Sequence, residues 1–431
     1  MIRKGKKMKN GYFEQILKQR LIPQPKEISF QDGECVIENE ISVELKTAEN
    51  EEEFGVLIND LFEEYWHVSP LIKLTHSKAA EEFLEDQYEV QVTPKKITLT
   101  SHCSKGLQLA MKTLRQLAEP IRGTAFLEGY VLQPCKIHDY ADSEFRAVRI
   151  NLSIYGDLGS IEKEIRFAGA LKFNYIFLDC SRCFPFRSHP GFAVREYMKR
   201  PAFFRALLDI ADEVGITLIP CFNIFHHASL AEEGTEEHAV LNFHPEYAPL
   251  FEPGGFTWCM SNPESQAVVA GLVHELYEFF ECPDYFHIGN ISGDDFRLCR
   301  SCAEKSTEEL LSQQIAMLYL SFGEARPRFV LGKTAGSKKI KVSFPGDILL
   351  VLNGGDKIPK GIDCIQNITD EDSVPAEEAG GTITDFDDDF LAVAADVAWN
   401  GKRQEKYFTD SLVQIKLNTV ADMEPVSCHD F

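Results

Sequence analysis

The sequence has no run of apolar residues long enough to cross a membrane, which takes roughly 18 residues. It is also poor in positive charge, with 44 Lys and Arg against 67 Asp and Glu and a net charge of −23. Because so acidic a surface repels phosphate groups, we expect neither nucleic acid nor an anionic membrane as a partner. The charge is compatible with a neutral or a cationic ligand. The sequence indicates no oligomeric state.

Several common motifs are missing. The chain contains no Gly-x-Gly-x-x-Gly, no P-loop and no Gly-x-Ser-x-Gly, so nothing supports a nucleotide cofactor or serine-hydrolase chemistry, and we expect no cofactor. The basic start Met1–Asn10 is not followed by the apolar segment of a signal peptide. The 12 cysteines are scattered through 431 residues rather than packed into a small scaffold. We therefore expect a cytoplasmic protein with reduced thiols.

The composition, 44% hydrophobic and 26% charged, is that of an ordinary globular protein. After an N-terminal extension, residues 1–20, helical and strand patterns mix as in a small α+β domain, which we place at residues 21–140. Its predicted elements are helices at Glu51–Trp66 and Ser104–Leu117, a strand at Glu40–Leu45, and a hairpin of Tyr88–Val92 with Lys96–Thr100.

From about Phe145, strands alternate with helices, which predicts a (β/α)8 TIM barrel over residues 141–431. Helix signals are weak between residues 333 and 389, and the acidic stretch Thr382–Phe390 is predicted to be a solvated loop. The strand candidates are Ala147–Leu152, Asn174–Leu178, Ile216–Ile219, Tyr285–Ile288, Arg328–Leu331, Asp347–Leu352, Ile362–Ile365 and Phe390–Val397. Chemistry in such a barrel lies just after the strands, here at Asp179, Cys221–His227, Gly289–Asp295, Asn353 and Trp399.

Short motifs in order along the chain resemble glycoside hydrolase family 20, the β-N-acetylhexosaminidases. This resemblance implies an α+β accessory domain before a TIM barrel, and hydrolysis of a terminal β-linked N-acetylhexosamine. The motifs are Leu21–Lys26, Gly106 with Thr113–Leu117, Ile137–Tyr140, Phe145–Ala147, Lys172–Asn174, Gly215–Pro220, Ser261–Glu264 and Tyr285–Gly289.

The family cleaves its substrate with help from the substrate's own acetamido oxygen, which an Asp positions while the adjacent Glu acts as general acid. Its fourth barrel strand ends in His-x-Gly-x-Asp-Glu. With a three-residue insertion, Asp294 becomes the acetamide partner and Asp295 the acid. Without a gap, Ile291 and Ser292 take these positions and cannot exchange a proton. A third interpretation makes Gly293–Asp295 a turn with a helix-capping Asp.

The resemblance also implies residues that hold the sugar. Arg146 matches the family's hydroxyl-binding arginine, and His227 and His287 match its histidines at strands three and four. Trp399 is the candidate for stacking on the apolar face of the sugar ring. Each has an alternative: a surface ion pair for Arg146, a pocket-wall hydrogen bond for His227, and a core position for Trp399.

The two other tryptophans are predicted in the rim of the pocket, for Trp258, and in the core of the accessory domain, for Trp66. Carboxylates of the family are missing at other strand ends. Cys221 and Asn223 replace a Glu and an Asp, and Ser181–Cys183 replaces an Asp pair. A second hypothesis is therefore a catalytically inactive family member that binds a glycan or a protein partner.

Two Cys-x-x-Cys pairs, Cys180 with Cys183 and Cys299 with Cys302, could form a four-thiolate zinc site. Their separation is much larger than in a zinc ribbon, and unpaired thiols are the alternative. The doublet His226–His227 does not form a ligand pair, because adjacent side chains on extended backbone point apart. We therefore assign no metal ligand from the sequence and leave the zinc question open.

Overall fold

The computed structural model describes residues 18–49, 51–122, 127–152, 156–193, 198–226, 240–291, 296–333, 345–353, 356–370, 373–387, 390–402 and 415. Within this part of the chain, no helix is long and apolar enough to cross a membrane. The contacts divide the chain into two compact units. The described residues up to 144 group with 167–172, 390–402 and 415, and the second unit contains the described residues of 145–166 and 173–387.

The first unit contains two sheets. Its strands are β1 (Glu27–Phe30), β2 (Cys35–Ile37), β3 (Ser42–Thr47), β4 (Leu71–His76), β5 (Tyr88–Thr93), β6 (Lys96–Ser101), β7 (Glu119–Arg122), β8 (Leu127–Leu132) and β9 (Cys135–Asp139). A six-stranded sheet has the order β1-β9-β5-β6-β3-β4, and β2-β8-β7 form a second sheet. The predicted hairpin is confirmed, since β5 and β6 pair antiparallel with Thr93 opposite Lys96.

The helices of this unit bury one apolar face each, as their spacing predicts. They are α1 (Glu52–Trp66), α2 (Lys78–Glu81) and α3 (Ser104–Leu117). The first buries Phe54, Ile58 and Phe62, which recur every four residues, and Trp66 lies in the same core as predicted. The third buries Leu107, Ala110, Met111, Leu114 and Leu117.

The second unit is a closed barrel of parallel strands, as predicted. Strand β17 pairs with β10 and closes it, with Phe145 opposite Gly381. The strands are β10 (Phe145–Asn151), β11 (Tyr175–Asp179), β12 (Thr217–Cys221), β13 (Tyr285–Ile291), β14 (Arg328–Lys333), β15 (Leu349–Leu352), β16 (Cys364–Asn367) and β17 (Gly381–Asp385).

Helices follow the first four barrel strands. They are α4 (Leu158–Ala170), α5 (Pro201–Glu213), α6 (Val240–Phe243), α7 (Pro263–Phe279), α8 (Arg300–Ala303) and α9 (Thr307–Phe322), with short 3-10 turns at Pro190–Phe192 and Pro245–Leu250. Alternate strand residues fill the barrel, where Phe145 stacks on Tyr175 with ring centroids 4.2 Å apart and packs edge-on against Tyr285. Since side chains alternate across a strand, Phe145 and Ala147 define the inward face of β10.

The prediction for strand eight is wrong. Phe390–Val397 was expected to be a strand, but Leu391–Asn400 forms helix α10, whose ten residues are all buried. The eighth strand is Gly381–Asp385, largely within the stretch expected to be a solvated loop. A short apolar run does not distinguish a buried strand from a buried helix, and the alanines of α10 favour the helix.

Candidate functional site

A polar cavity of about 310 Å³ opens at the carboxyl ends of the barrel strands, where TIM barrels carry their active sites. Strands β10, β11, β12, β13 and β17 contribute to its wall. The lining residues are Arg149, Asn151, Asp179, Cys221, Asn223, His287, Gly289, Asn290 and Asp385. The cavity is near the lower end of the size range of small-molecule sites.

Strand register brings the charged groups of the cavity together. The parallel pairing sets Asn151 beside Asp179 and Arg149 beside Asp385. Arg149 Nη1 donates to Asp385 Oδ1 at 2.5 Å. Arg149 Nε is buried and has no hydrogen-bond partner among the described residues. The site therefore contains an arginine that is held by one carboxylate and still has a donor for a ligand.

Arg149, rather than Arg146, is the arginine of the cavity. Arg146 is buried and is not among the lining residues. Side chains alternate between the two faces of a strand, so Arg146, which lies between the inward residues Phe145 and Ala147, is on the opposite face of β10. Its backbone N–H donates to Asn174 Oδ1 at 2.9 Å. Arg146 is therefore not placed to bind a ligand in this cavity, contrary to the expectation, whereas Arg149, two residues after the inward-facing Ala147, lines it.

His287 lines the cavity, and its ring lies 5.3 Å from the ring of Phe177 in a stacked arrangement. Burial, together with the positive charge of Arg149, lowers the pKa of His287 from 6.5 to about 3, while a hydrogen bond with Asn290 opposes this shift. Its Nε2 atom is buried and lacks a hydrogen-bond partner among the described residues. His287 is therefore a neutral imidazole near pH 7, with a ring nitrogen that a ligand or a water molecule would satisfy.

The other ionisable groups of the cavity are Asp179 and Cys221. The hydroxyl of Ser181 donates to Asp179 Oδ1 at 3.0 Å, which holds this carboxylate at the end of β11. Burial, and then the neighbouring Asp179, raise the pKa of the Cys221 thiol well above its usual range. Cys221 is thus a protonated thiol and is not a candidate nucleophile.

Two glycines make room for the amide side chains of the site. A Cβ atom on Gly289, which has φ of +99°, would lie 2.6 Å from the side chain of Asn223. A Cβ atom on Gly332 would lie 1.7 Å from Asn290 Oδ1. Asn223 Oδ1 in turn accepts hydrogen bonds from the backbone N–H groups of Phe225 and His226, both at 3.0 Å. The amides of the cavity are therefore set by close packing between neighbouring strands.

Three predicted site residues, His227, Asp294 and Asp295, lie outside the described residues, as does Ser292. Their roles remain predictions. Ile291, which takes the catalytic position in the ungapped alignment, is fully buried at the end of β13. Asn290, one residue earlier, lines the cavity instead.

Trp399 is not a stacking platform for a sugar. Its side chain is fully buried in the core of the first unit, and its Nε1–H donates to Asp139 Oδ1 at 2.9 Å. The ammonium group of Lys172 lies 4.5 Å from the centre of its ring and 3.0 Å from Asp139 Oδ2. The indole therefore belongs to a buried ion-pair network. Trp399 occupies a core position, which was the alternative to stacking on a sugar.

Trp258 is also buried, at 1% exposure, rather than placed in a rim. Its Nε1–H donates to the carbonyl oxygen of Asn223 at 3.2 Å, and its ring packs against Phe251 at a centroid distance of 4.8 Å. The lining residues that the structure describes include no Phe, Tyr or Trp. Polar contacts therefore dominate the described wall of the cavity.

The two Cys-x-x-Cys motifs, which could have formed one four-thiolate zinc site, do not come together among the described residues. Cys299 and Cys302 lie with Cys259 and Glu252, and the ligand atoms of these four residues lie within 4.8 Å of one another. Cys180 and Cys183 are not part of this group. Cys259 has no Cys-x-x-Cys partner in the sequence, so the motif pattern alone did not identify it.

The comparisons with known proteins agree with this architecture. Residues 18–140 match the sequence family described as glycosyl hydrolase family 20, domain 2. No curated protein sequence matches the chain significantly.

Among solved structures, the chain is similar to a chitobiase of Flavobacterium johnsoniae (15% identity, 96% of this chain and 73% of that one, TM-score 0.69). It is also similar to the exo β-N-acetylglucosaminidase of Vibrio harveyi, solved with N-acetylglucosamine (14% identity, 94% and 77%, TM-score 0.70). A third is the β-N-acetylhexosaminidase of Streptomyces coelicolor A3(2) (14% identity, 94% and 96%, TM-score 0.65). The chain thus has the fold of family 20 glycoside hydrolases, with a TIM barrel and an accessory domain, at low sequence identity.

Proposed function

We propose that the protein is a divergent glycoside hydrolase that removes a terminal β-linked N-acetylhexosamine. The observation that carries this proposal is the polar cavity at the carboxyl ends of the barrel strands. Its wall offers a charged donor in Arg149, carboxylate acceptors in Asp179 and Asp385, and a neutral imidazole in His287. These groups suit the hydroxyls of one pyranose, each of which both donates and accepts a hydrogen bond.

The fold of the chain also supports this proposal. Solved structures of similar architecture are named as chitobiase, β-N-acetylglucosaminidase and β-N-acetylhexosaminidase. Because one fold can host many functions, the proposal depends on the cavity. The likeness to these enzymes indicates which reaction such a cavity would catalyse.

In the proposed reaction the acetamido oxygen of the substrate attacks the anomeric carbon, and the glycosidic bond breaks as Asp295 gives its proton to the leaving oxygen. Asp294 holds the acetamide and stabilises the positive charge of the oxazolinium intermediate. Water then opens this ring and returns a proton to Asp295. Strand β13, whose Asn290 lines the cavity, ends at Ile291, which is three residues before Asp294 in the sequence.

The sugar contacts follow from the cavity wall. We propose that Arg149 and Asp385 bind neighbouring hydroxyls of the sugar, because a charged donor and a charged acceptor 2.5 Å apart match adjacent hydroxyl groups. His287 contributes a neutral ring nitrogen, and His227 is proposed to line the same site.

One observation favours an inactive glycan-binding protein as the second candidate. The ungapped position of the family's Asp is Ile291, which is fully buried, and Asn223 and Cys221 stand where the family has carboxylates. If Asp294 and Asp295 do not reach the substrate, the cavity retains the groups for recognition but not the acid. The experiment below separates the two functions.

The test is hydrolysis of aryl β-N-acetylglucosaminide and aryl β-N-acetylgalactosaminide by the wild type and the variants Asp294→Asn and Asp295→Asn. The matched control is Asp209→Asn, which changes an exposed carboxylate of α5. We expect turnover by the wild type and the control, with a loss of about 10²-fold or more in both site variants. An aryl β-glucoside, which lacks the acetamide, is expected to remain uncleaved. Absence of wild-type turnover, with sugar binding still measurable, would assign the protein to the glycan-binding alternative.

We also propose that the protein works in a reducing compartment such as the cytoplasm and does not bind nucleic acid. The scattered cysteines and the net charge of −23 support this proposal. Alkylation of all 12 cysteines is the expected result when freshly prepared, unreduced protein is unfolded in denaturant with a metal chelator.

A further inference from the structure

A buried cluster of three cysteines and one glutamate lies in the barrel unit, outside the polar cavity. It consists of Glu252, Cys259, Cys299 and Cys302, whose ligand atoms lie within 4.8 Å of one another. Glu252, Cys259 and Cys302 are 2%, 6% and 0% exposed. We propose that these four residues bind one structural zinc ion.

The sulfur positions fit a tetrahedral metal site. Cys259 Sγ lies 3.7 Å from Cys299 Sγ and 3.9 Å from Cys302 Sγ. Thiolates bound to zinc at about 2.3 Å in a tetrahedron are about 3.8 Å apart. A disulfide would bring two of the sulfurs to about 2.0 Å and leave the third without a partner. The observed spacing therefore matches three thiolates around one ion.

Glu252 supplies the fourth ligand and the second, independent observation. Its Oε2 accepts a hydrogen bond from the backbone N–H of Cys299 at 2.5 Å. Its Oε1 is buried and has no hydrogen-bond partner among the described residues. A buried carboxylate oxygen without a partner is costly, and a metal ion removes this cost. One oxygen on the metal and the other held by an N–H group is the usual arrangement of a ligating carboxylate.

Two separate segments of the chain present these ligands. Glu252 and Cys259 lie on a small hairpin in which the N–H of Glu252 donates to Thr257 O and the N–H of Cys259 donates to Leu250 O. Cys299 caps the N-terminus of α8 and Cys302 lies within that helix, where the N–H of Cys302 donates to Cys299 Sγ at 3.3 Å. The ion would therefore join the connection after β12 to the connection after β13.

The ligand set indicates zinc in a structural role. Three soft thiolates with one carboxylate suit Zn²⁺, and four protein ligands leave no open position for a substrate or a catalytic water. The site fixes the chain from Cys299 onward, four residues after Asp295. The ring of Phe296, in the same segment, packs 4.4 Å from the ring of His226. The zinc would thus anchor the segment that follows the proposed catalytic carboxylates.

The first test is metal analysis of the full-length protein purified without added metal. We expect one zinc ion per chain, and its release in proportion to the modification of three thiols by an organomercurial reagent. Cys282, which is exposed, serves as an internal control because its modification should release no zinc. Cobalt(II) in place of zinc should give the intense visible bands of a tetrahedral thiolate site. Removal of the metal should lower the melting temperature by several degrees.

Variants assign the ligands. Cys259→Ser and Glu252→Gln are expected to lose most of the bound zinc, whereas the matched control, Cys180→Ser with Cys183→Ser, keeps one zinc ion per chain. Protein that contains no zinc and whose Cys259, Cys299 and Cys302 are alkylated as fast as Cys282 would overturn the proposal. A disulfide among them, or full zinc content in Cys259→Ser, would also overturn it. If a variant does not fold, the wild-type zinc content and thiol titration decide, and neither depends on hydrolase activity.

Discussion

The side chain of Arg149 is predicted to contribute to sugar binding. Replacing Arg149 by Ala removes a charged donor from the cavity and leaves Asp385 without its ion-pair partner. Hydrogen bonds to charged groups contribute about 1.5–3 kcal/mol, so we expect kcat/KM to fall by about 10- to 100-fold. Steady-state kinetics with an aryl N-acetylhexosaminide would measure this change.

The control for this prediction is Arg205→Ala, which removes an exposed arginine of α5 and should leave kcat/KM within about twofold of the wild type. Equal effects of the two variants would mean that the cavity arginine does not contact the substrate.

His287 makes the stability of the protein depend on pH. Its pKa is about 3 in the folded chain and 6.5 at its ordinary value. Between these two pH values the unfolded chain binds more protons than the folded one, so stability falls as the pH falls. We expect up to about 1.4 kcal/mol of lost stability per pH unit from this one group.

The measurement is the urea midpoint of the wild type and of His287→Gln between pH 6.5 and pH 4. The variant should show a shallower decrease with falling pH, because Gln does not titrate. Parallel pH profiles for the two proteins would mean that His287 is charged in the fold. Since His287 stays uncharged above pH 4, its titration should not change the enzyme activity near neutral pH.

At the scale of elements, helix α10 is held in the first unit by the buried network of Asp139, Lys172 and Trp399. Lys172→Met leaves the charge of Asp139 buried without its ion-pair partner, which costs about 3–5 kcal/mol. Trp399→Phe removes one hydrogen bond to the same carboxylate and should cost about 1–3 kcal/mol. Thermal unfolding measures both, and equal midpoints for wild type and Lys172→Met would contradict the network.

The junction of β12 and β13 depends on a glycine. Gly289→Ala places a methyl group 2.6 Å from the side chain of Asn223, at a φ of +99° that alanine disfavours. We expect a destabilisation of about 1–3 kcal/mol and a loss of activity, because Asn223 and His287 shift.

Gly271→Ala in α7 is the matched control, since its new methyl group contacts nothing within 4 Å. It should stabilise the helix by about 0.5–1 kcal/mol. Differential scanning calorimetry distinguishes the two changes. If Gly289→Ala left the stability of the protein unchanged, the two strand ends would not be packed as described.

The sequence predicts some helices and strands correctly and others not. The first seven barrel strands and the helices of the first half were predictable because their apolar spacing is regular. Strand β17 was missed because Gly381–Asp385 is short and carries little apolar signal, while the apolar run of α10 has no strong period. Trp399 was misplaced with this strand, so a motif match alone put a core residue in the site.

The site shows the same limit at the level of side chains. The sequence identified the right strand ends, since Asp179, Cys221, Asn223 and His287 all line the cavity. The family motif favours Arg146, whereas the alternation of side chains along β10 places Arg149 at the cavity. The proposed zinc ligands Cys259 and Glu252 come together with Cys299 and Cys302 through a long-range contact between two connections, which no local spacing in the sequence reveals.

At the scale of the whole molecule, the central claim is that the barrel cavity binds a terminal N-acetylhexosamine. The most direct measurement is a crystal structure of the protein with a thiazoline analogue of N-acetylglucosamine, which mimics the oxazolinium intermediate. We predict the sugar in the cavity, with its hydroxyls on Arg149 and Asp385 and its thiazoline ring beside Asp294. An empty cavity at saturating analogue, or the sugar bound elsewhere on the chain, would contradict the account.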